Sequence, residues 1–512
     1  LEPDGLKLLP DGNAWLFVEM GGDNEAESRD RARTLVNALN QRATSPPVNV
    51  VEDRAVARSA WAAREAGVGV SSRLADGSNT EGGWEDAAVH PDNLGDYLRA
   101  FNDLLDKHGY RSTQYGHFGQ GLVHTRIDFD LADAESIRRY RAFVEEAADL
   151  VVAHGGSLSG EHGDGRSRAE LWPRMFSAEL MRAFAQFKAI WDPQGRMNPA
   201  RLIDPAPLDT DLRLGAGYRL PQLDTHFAYT DDAHNFGRAV ARCIGVGKCR
   251  REDGGTMCPS YKAVRQEQHT TRGRARLLAA MAEGQLPDGW RNEEVHEALD
   301  LCLACKGCKH ECPAGVDVAM YKAEFLAHFH KHRRRPLQAH VFGNVHKLAR
   351  LGSLLPRVAN ALAGAPGLGM LAKAAAGVAP QRELPRLAAQ PFKPWFFKRQ
   401  QSAPPPGDRP RVLLWPDTFN NYFQPQVARA AVSVLESAGC DVVVPRAALC
   451  CGRPMYDFGM LDRARRQLQQ ILAALEYEGL DDLPLVGLEP SCITVFRDEM
   501  LQLMPDEPRA QR

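Results

Sequence analysis

Cys302-Leu303-Ala304-Cys305-Lys306-Gly307-Cys308-Lys309-His310-Glu311-Cys312-Pro313 is the stretch on which the reading of this chain turns. Its spacing, C-x2-C-x2-C-x3-C-P, lets three thiolates wrap one cubane iron–sulfur cluster while the fourth reaches across to a second cluster. Each tetrahedral iron takes one sulfur from the protein, and the two-residue gaps let successive backbone turns aim three thiolates at one cubane face. C-x2-C pairs also build zinc ribbons, but the third x2 gap and the trailing proline fit a cluster better. The run predicts electron transfer.

A crossing fourth cysteine requires a partner run. Residues 243–259 read CIGVGKCRREDGGTMCP and supply Cys243, Cys249 and Cys258. Under the crossed arrangement Cys258 completes a 4Fe-4S cluster on Cys302, Cys305 and Cys308, and Cys312 joins Cys243 and Cys249. Val246 stands where a further cysteine is expected, and its apolar side chain binds no iron. Either a carboxylate, histidine or water completes a second 4Fe-4S cluster, or the site holds a 3Fe-4S cluster. The latter resembles the iron–sulfur subunits of succinate dehydrogenase and fumarate reductase, in which an apolar residue replaces one cysteine.

With 512 residues the chain is long enough for about three domains. A net charge of −2 gives no global basic surface for nucleic acid, and none is expected as a partner. Eleven cysteines at cluster spacings suit a reducing, cytoplasmic compartment better than a disulfide framework. No apolar run reaches the roughly 18 residues of a spanning helix. The chain opens on Leu1 inside what reads as a folded unit, so the missing leader says nothing of targeting.

Residues 1–205 alternate helical and strand patterns. Strands are predicted over 14–20, 48–51 and 122–129, and helices over 27–41, 54–65, 91–108, 132–154 and 169–190. Together these make an α+β domain around an antiparallel sheet. Two segments in it carry chemistry: YGHFGQGLVH at 115–124 and SGEHGDG at 159–165. Glycines flanking polar groups suggest tight turns or close approach to a ligand. The two imidazoles and one carboxylate suffice for a divalent metal with an open position, though structural histidines would give the same pattern.

GHFGQGLVH, SGEHGDG and the later FKAIWDPQGRMNP resemble the C-terminal cap domain of FAD-linked oxidases, the family of D-lactate, glycolate and D-2-hydroxyglutarate dehydrogenases. The resemblance implies His117, His124 and Glu161 as ligands of a divalent metal (zinc, manganese or iron) and His162 as the base beside the flavin. WAARE at 61–65 resembles the family's W-x-x-R-E, which implies Arg64 as the clamp on the substrate carboxylate, a bidentate role suited to guanidinium. Gln120, Leu122, Val68 and Trp84 depart from the family pattern and put recognition of a second substrate carboxylate in doubt. Arg126, two residues beyond His124, is a candidate replacement contact.

Residues 206–236 read as a linker and 237–330 as an α-helical ferredoxin-type domain with two clusters. Within it Thr271-Arg272-Gly273-Arg274 resembles a segment of dehydrogenase iron–sulfur subunits. Residues 331–410 form a basic helical linker; between 331 and 400 there are 13 Lys or Arg and one acid, Glu383. It is either solvated or in peripheral contact with the inner face of a membrane, where each basic residue gains about 1 kcal/mol. Residues 411–512 read as a β-α-β unit delivering Cys450, Cys451 and Cys492. It resembles one half of the CCG cysteine-rich module of heterodisulfide reductases and glycolate oxidase iron–sulfur subunits, which implies those cysteines as cluster ligands.

The order of cap, ferredoxin and CCG domains resembles fused FAD- and iron–sulfur-binding D-2-hydroxyacid dehydrogenases. It implies an internal fragment, with an FAD-binding domain before Leu1 and a second CCG half after Arg512. The expected activity is oxidation of a D-2-hydroxyacid to the 2-oxoacid, with electrons leaving through the clusters to a quinone or another acceptor. An electron-transfer subunit of a glycerol-3-phosphate or glycolate dehydrogenase, or a heterodisulfide-reductase-like enzyme, are the alternatives. A homo-oligomer is compatible with all of them.

Overall fold

Two short helices, α1 (Glu25–Asn40) and α2 (Arg54–Glu65), open the chain in a computed structural model that describes residues 8–512 apart from 66, 75, 77, 132, 213–214, 217–219 and 401–408. The Asn24 side chain accepts from the Glu27 amide and so caps α1. The strands predicted over 14–20 and 48–51 are instead irregular chain. Leu16, Val18 and Val50 are 73, 60 and 51% exposed. Strand propensity expresses fit to a pleated, half-buried surface, and no described strand pairs with these segments.

The chain divides into two compact units, residues 1–219 and 220–512. The first is organised by β1 (Ala87–Ala88), α3 (Leu94–His108), β2 (Ser112–Tyr115), β3 (Leu122–Ile127) and α4 (Ala134–Ala153). The strands form an antiparallel sheet in the order β1-β3-β2, with Ala87 opposite Val123 and Tyr115 opposite His124. α3 carries its buried Leu94, Tyr97, Phe101, Leu104 and Leu105 at helical spacing and ends at Gly109, whose φ of 69° is left-handed. Asp133 caps α4 by accepting from the amides of Glu135 and Ser136. The predicted start of this helix at 132 lies outside the described residues.

Phe143 of α4 meets Phe101 edge-on at 6.0 Å and Tyr110 at 5.4 Å, while Phe129 meets Tyr140 at 4.8 Å. These contacts form the core on which the sheet rests. The single helix predicted over 169–190 is broken. Pro173 sits in a one-turn helix, Trp172–Met175; Phe176 is extended, and Ser177 caps a new helix, α5 (Ala178–Trp191). Proline offers no amide to a preceding turn, and a serine one residue past an extended one is a start signal.

After shorter helical turns, the second unit runs through α6 (Thr271–Ala282), α7 (Glu293–Asp300) and α8 (Val318–Phe329). Short helices follow: α9 (Val345–Gly352), α10 (Pro356–Gly364) and α11 (Leu368–Ala376). Then come β4 (Arg411–Trp415), α12 (Pro425–Ser437), β5 (Asp441–Val443), α13 (Leu461–Tyr477) and β6 (Leu485–Gly487). Here the strands are parallel, with β4 central in the order β5-β4-β6. Strand alternation splits β4 between two cores. Leu413 and Trp415 join the large cluster of α6, α8 and α13, whereas Leu414 packs with Phe392, Val432 and Val442. Among the described residues the molecule is thus helix-rich, with one small sheet in each unit.

Candidate functional site

His124 stands on β3 with only 4% of its side chain exposed, and His117 follows β2 on the neighbouring chain turn. The segment 159–162 is drawn to them by Asp86, just ahead of β1. Its fully buried Oδ2 accepts from the Ser159 hydroxyl and from the amides of Gly160, Glu161 and His162, the last three at 2.8–3.1 Å. Burial pushes the Asp86 carboxyl up, but these donors outweigh it and hold the group below the ordinary carboxylate value. Glycine is needed where the loops close up. A Cβ at Gly160 would fall 1.8 Å from Leu122 Cδ2, and one at Gly121, whose φ is 76°, 1.8 Å from the Val89 carbonyl oxygen.

One carboxylate oxygen, Glu161 Oε1, is the focus. His124 Nε2 lies 3.0 Å from it, His117 Nε2 3.5 Å and His162 Nε2 3.6 Å. The rings of His124 and His162 stack at 4.7 Å and 8°. The protons of two rings are accounted for elsewhere. His124 Nδ1 donates to the Glu85 carbonyl at 3.0 Å, and His162 Nδ1 donates to the Glu85 carboxylate at 3.1 Å. In the neutral rings both Nε2 lone pairs therefore face a carboxylate oxygen, an acceptor aimed at acceptors. Such a set fits a cation, with Nδ1 hydrogen bonds fixing ring orientation as in metal-ligating histidines. Asp86 Oδ1, buried and without a hydrogen-bond partner among the described residues, lies 3.7 Å from His124 Nδ1 and adds a carboxylate oxygen to the group of His124, Glu161 and His162.

Glu85 and Asp86 were not singled out by sequence. The available signal was the adjacent acid pair in GGWED, directly before a buried strand. Arg64 is partly buried, and its Nη2 is enclosed without a hydrogen-bond partner among the described residues. Arg126 is anchored, donating from Nη2 and Nε to the Thr80 carbonyl and hydroxyl at 2.7 and 3.2 Å. Both guanidinium groups act on the Tyr115 hydroxyl, which burial raises above its ordinary value.

A second group of ligating side chains, His226, Glu324 and His328, behaves differently. Glu324 is fully buried. It accepts from both imidazoles at 2.9 and 3.0 Å and from the amides of His226 and Phe227 at 2.9 and 3.0 Å. Both carboxylate oxygens of Glu324 meet donors, so the cluster is a structural tie.

In the second unit Cys243, Cys249 and Cys312 line one hollow together with Val246 and Arg272. Val246 is 44% exposed at its rim. Burial above all pushes the Cys308 thiol up to about 12, with the charges of Asp317, Cys302 and Cys305 adding to it. The structure places Cys258 beside Cys249, its sulfur taking the Thr271 amide at 2.9 Å. Thr271 opens α6, whose N-terminal amides therefore face cysteine sulfur, a favourable end for thiolate charge. Arg274 of the same segment is buried and donates to the Ala298 carbonyl and the Ser260 hydroxyl, a packing role.

A third cysteine group sits at the carboxyl ends of the parallel strands, where open α/β sheets place their ligands. Cys450 and Cys451 follow β5, Cys492 follows β6, and Asp417 and Thr418 follow β4. Cys451 Sγ and Cys492 Sγ are 2.9 Å apart, and Thr418 Oγ1 is 3.6 Å from Cys450 Sγ. The three thiols and the exposed Cys305 line a cavity of about 570 Å³. The Cys451 thiol and burial push the Cys450 thiol well above its ordinary value. A soft metal centre that displaces the protons suits such a set. The facing loop is fastened across the cavity: Arg453 donates to the Ala304 carbonyl and pairs with Glu499, and buried Lys306 pairs with Asp317 and Asp498. Among the described residues no helix is long and apolar enough to cross a membrane.

Residues 2–202 match the C-terminal domain of FAD linked oxidases, 239–316 a 4Fe-4S dicluster domain and 417–497 a cysteine-rich domain. The chain is 27% identical to D-2-hydroxyglutarate dehydrogenase of Escherichia coli, over 96% of its own length and 52% of that protein. It is also 27% identical to the Pseudomonas putida protein of that name, over 94% of the chain and 52% of the relative. A probable glycolate oxidase iron-sulfur subunit of Bacillus subtilis is 28% identical over 52% of the chain and 61% of that subunit. The chain spans about half the length of the D-2-hydroxyglutarate dehydrogenases it matches. In succession the chain thus resembles an FAD linked oxidase C-terminal domain, a 4Fe-4S dicluster domain and a cysteine-rich domain.

Proposed function

We propose that the chain is part of a flavin- and iron–sulfur-dependent dehydrogenase that oxidises a D-2-hydroxyacid to the 2-oxoacid. The observation that carries this reading is the convergence of three imidazole Nε2 atoms on Glu161 Oε1 with Glu85 occupying the Nδ1 atoms of His124 and His162. His117, His124 and Glu161 would hold a divalent metal, which when bound supplies Lewis-acid stabilisation of a substrate hydroxyl. His162 takes the hydroxyl proton at Nε2, a role worth about 10²–10⁴-fold in rate. The Glu85 carboxylate stabilises the charge that ring then gains. Arg64 offers its unpaired Nη2 to the substrate carboxylate, and the Arg126 side chain, held by Thr80, borders the same site.

FAD would supply the hydride acceptor and the clusters one-electron transfer. Cys243, Cys249 and Cys312 would hold the cluster that lacks a cysteine, of the 3Fe-4S type, and Cys302, Cys305 and Cys308 a 4Fe-4S cluster whose expected fourth ligand, Cys258, stands beside Cys249 in this structure. Cys450, Cys451 and Cys492 are assigned to a further cluster facing Cys305. A quinone is the proposed final acceptor, which sets the enzyme at the inner face of the membrane as a peripheral protein.

The full-length protein tests this reading. Its flavin absorbance should bleach with at least one of D-lactate, glycolate, D-2-hydroxyglutarate and D-malate. Glu161→Ala should abolish that bleaching while leaving iron content unchanged. Bleaching by none of the four, or an unimpaired Glu161→Ala protein, refutes the assignment.

A further inference from the structure

Residues 331–400 carry 13 Lys or Arg against Glu383 alone. In the fold much of this stretch becomes α9, α10 and α11, three successive short helices of which α10 and α11 pack together. They are mounted firmly: Asn360 of α10 both donates to and accepts from the backbone of Leu387, at 2.8 and 2.9 Å. Yet they turn their large apolar side chains outward. Leu351, Leu354, Leu355, Val358, Met370 and Leu371 are between 52 and 73% exposed, and no residue of α10 is buried.

Scattered exposed leucines are ordinary, whereas this density within about twenty residues marks an interaction surface. The cations decide among partners. Lys347, Arg350 and Arg357 are exposed between the apolar positions and make no ion pair among the described residues. A second copy meeting this face with its own would oppose like charges. An anionic lipid surface would neutralise the cations and receive the leucines at the boundary of headgroup and acyl chain, as amphipathic interfacial helices do. The helices are too short to span a bilayer, so the contact lies in the plane of the surface.

We propose that the face of α9–α11 is a lipid-docking surface for anionic membranes. It stands apart from the hydroxyacid reaction, and its test reads binding rather than turnover. The purified full chain should sediment with phosphatidylcholine vesicles containing phosphatidylglycerol but not with pure phosphatidylcholine, and about 1 M salt should weaken that binding. Leu351→Ser/Leu354→Ser/Leu371→Ser and, separately, Lys347→Glu/Arg350→Glu/Arg357→Glu should each reduce it about tenfold or more, with circular dichroism and iron content unchanged. Absence of vesicle binding, equal binding to neutral vesicles, or unchanged binding by both folded variants overturns the proposal. So does a dimer in sedimentation velocity that the serine variant dissolves, which would identify a second copy as the occupant.

Discussion

Asp86 shows how one buried side chain can set a whole site. It touches neither the Nε2 atoms nor Glu161 Oε1, yet it holds the Ser159 hydroxyl and three successive amides that bring Glu161 and His162 into place. Asp86→Asn replaces one acceptor oxygen by a donor facing donors. We expect divalent-metal affinity to fall about 10–100-fold, the usual cost of losing an orienting partner, with little change in helix content. Titration against a fluorescent chelator checks this, and unaltered affinity would remove Asp86 from the positioning role. Val246 is a second residue with a separable effect. Because Cys243, Cys249 and Cys312 share its hollow, Val246→Cys should convert a three-iron signal in the oxidised protein's electron paramagnetic resonance spectrum into a four-iron cluster. Absence of any three-iron cluster from the anaerobic wild type by Mössbauer spectroscopy would contradict the 3Fe-4S assignment.

At the level of elements, Glu324 of α8 ties the segment entering the second unit to that helix. The hydrogen bond from His226 to the Glu324 carboxylate raises the imidazole above its ordinary 6.5. Burial pushes Glu324 up, but the His226 and His328 rings and two amides outweigh it and keep the carboxyl below its ordinary 4.5. A raised base stabilises fully below its unfolded value and loses that contribution as pH rises through the folded one. A lowered acid does the reverse, losing its contribution as pH falls. The tie is therefore fully engaged between about pH 4.5 and 6.5. Glu324→Gln should cost on the order of 3 kcal/mol, lowering Tm more at pH 6 than at pH 9. An equal loss at both values would show that the charge is immaterial.

For the whole molecule, the decisive fact is that the second unit has one large core. Phe227, Tyr229 and Phe236, α6 and α8 share it with Leu413, Trp415, Cys451 and α13. The sequence divides this stretch into a ferredoxin-type domain, a basic linker and a cysteine-rich half-domain, three pieces with different composition. A shared core predicts joint melting. Loss of iron–sulfur absorbance and loss of far-ultraviolet dichroism from the second unit should coincide in a denaturant titration. Tyr456→Ala, at a fully buried ring stacked on Phe227, should move both midpoints together by about 3–5 kcal/mol. Two separated transitions would show that the pieces fold independently.

Sequence alone determined the ferredoxin-type cysteine run that matches a 4Fe-4S dicluster domain, the helices with clear caps and apolar spacing such as α3 and α4, and the two histidine motifs. These follow from spacing along the chain, which backbone geometry converts directly into proximity. It misread residues 14–20 and 48–51 as strands and joined α5 to the turns before it. A strand exists only where a partner offers its hydrogen bonds, and one proline with one serine suffices to end a helix. Glu85 and Asp86 became visible only once β1 lay beside β3 and carried them to His124 and His162. The cavity shared by Cys305, Cys450, Cys451 and Cys492 likewise depended on the parallel sheet, because only the fold brings strand ends and a distant loop to one place.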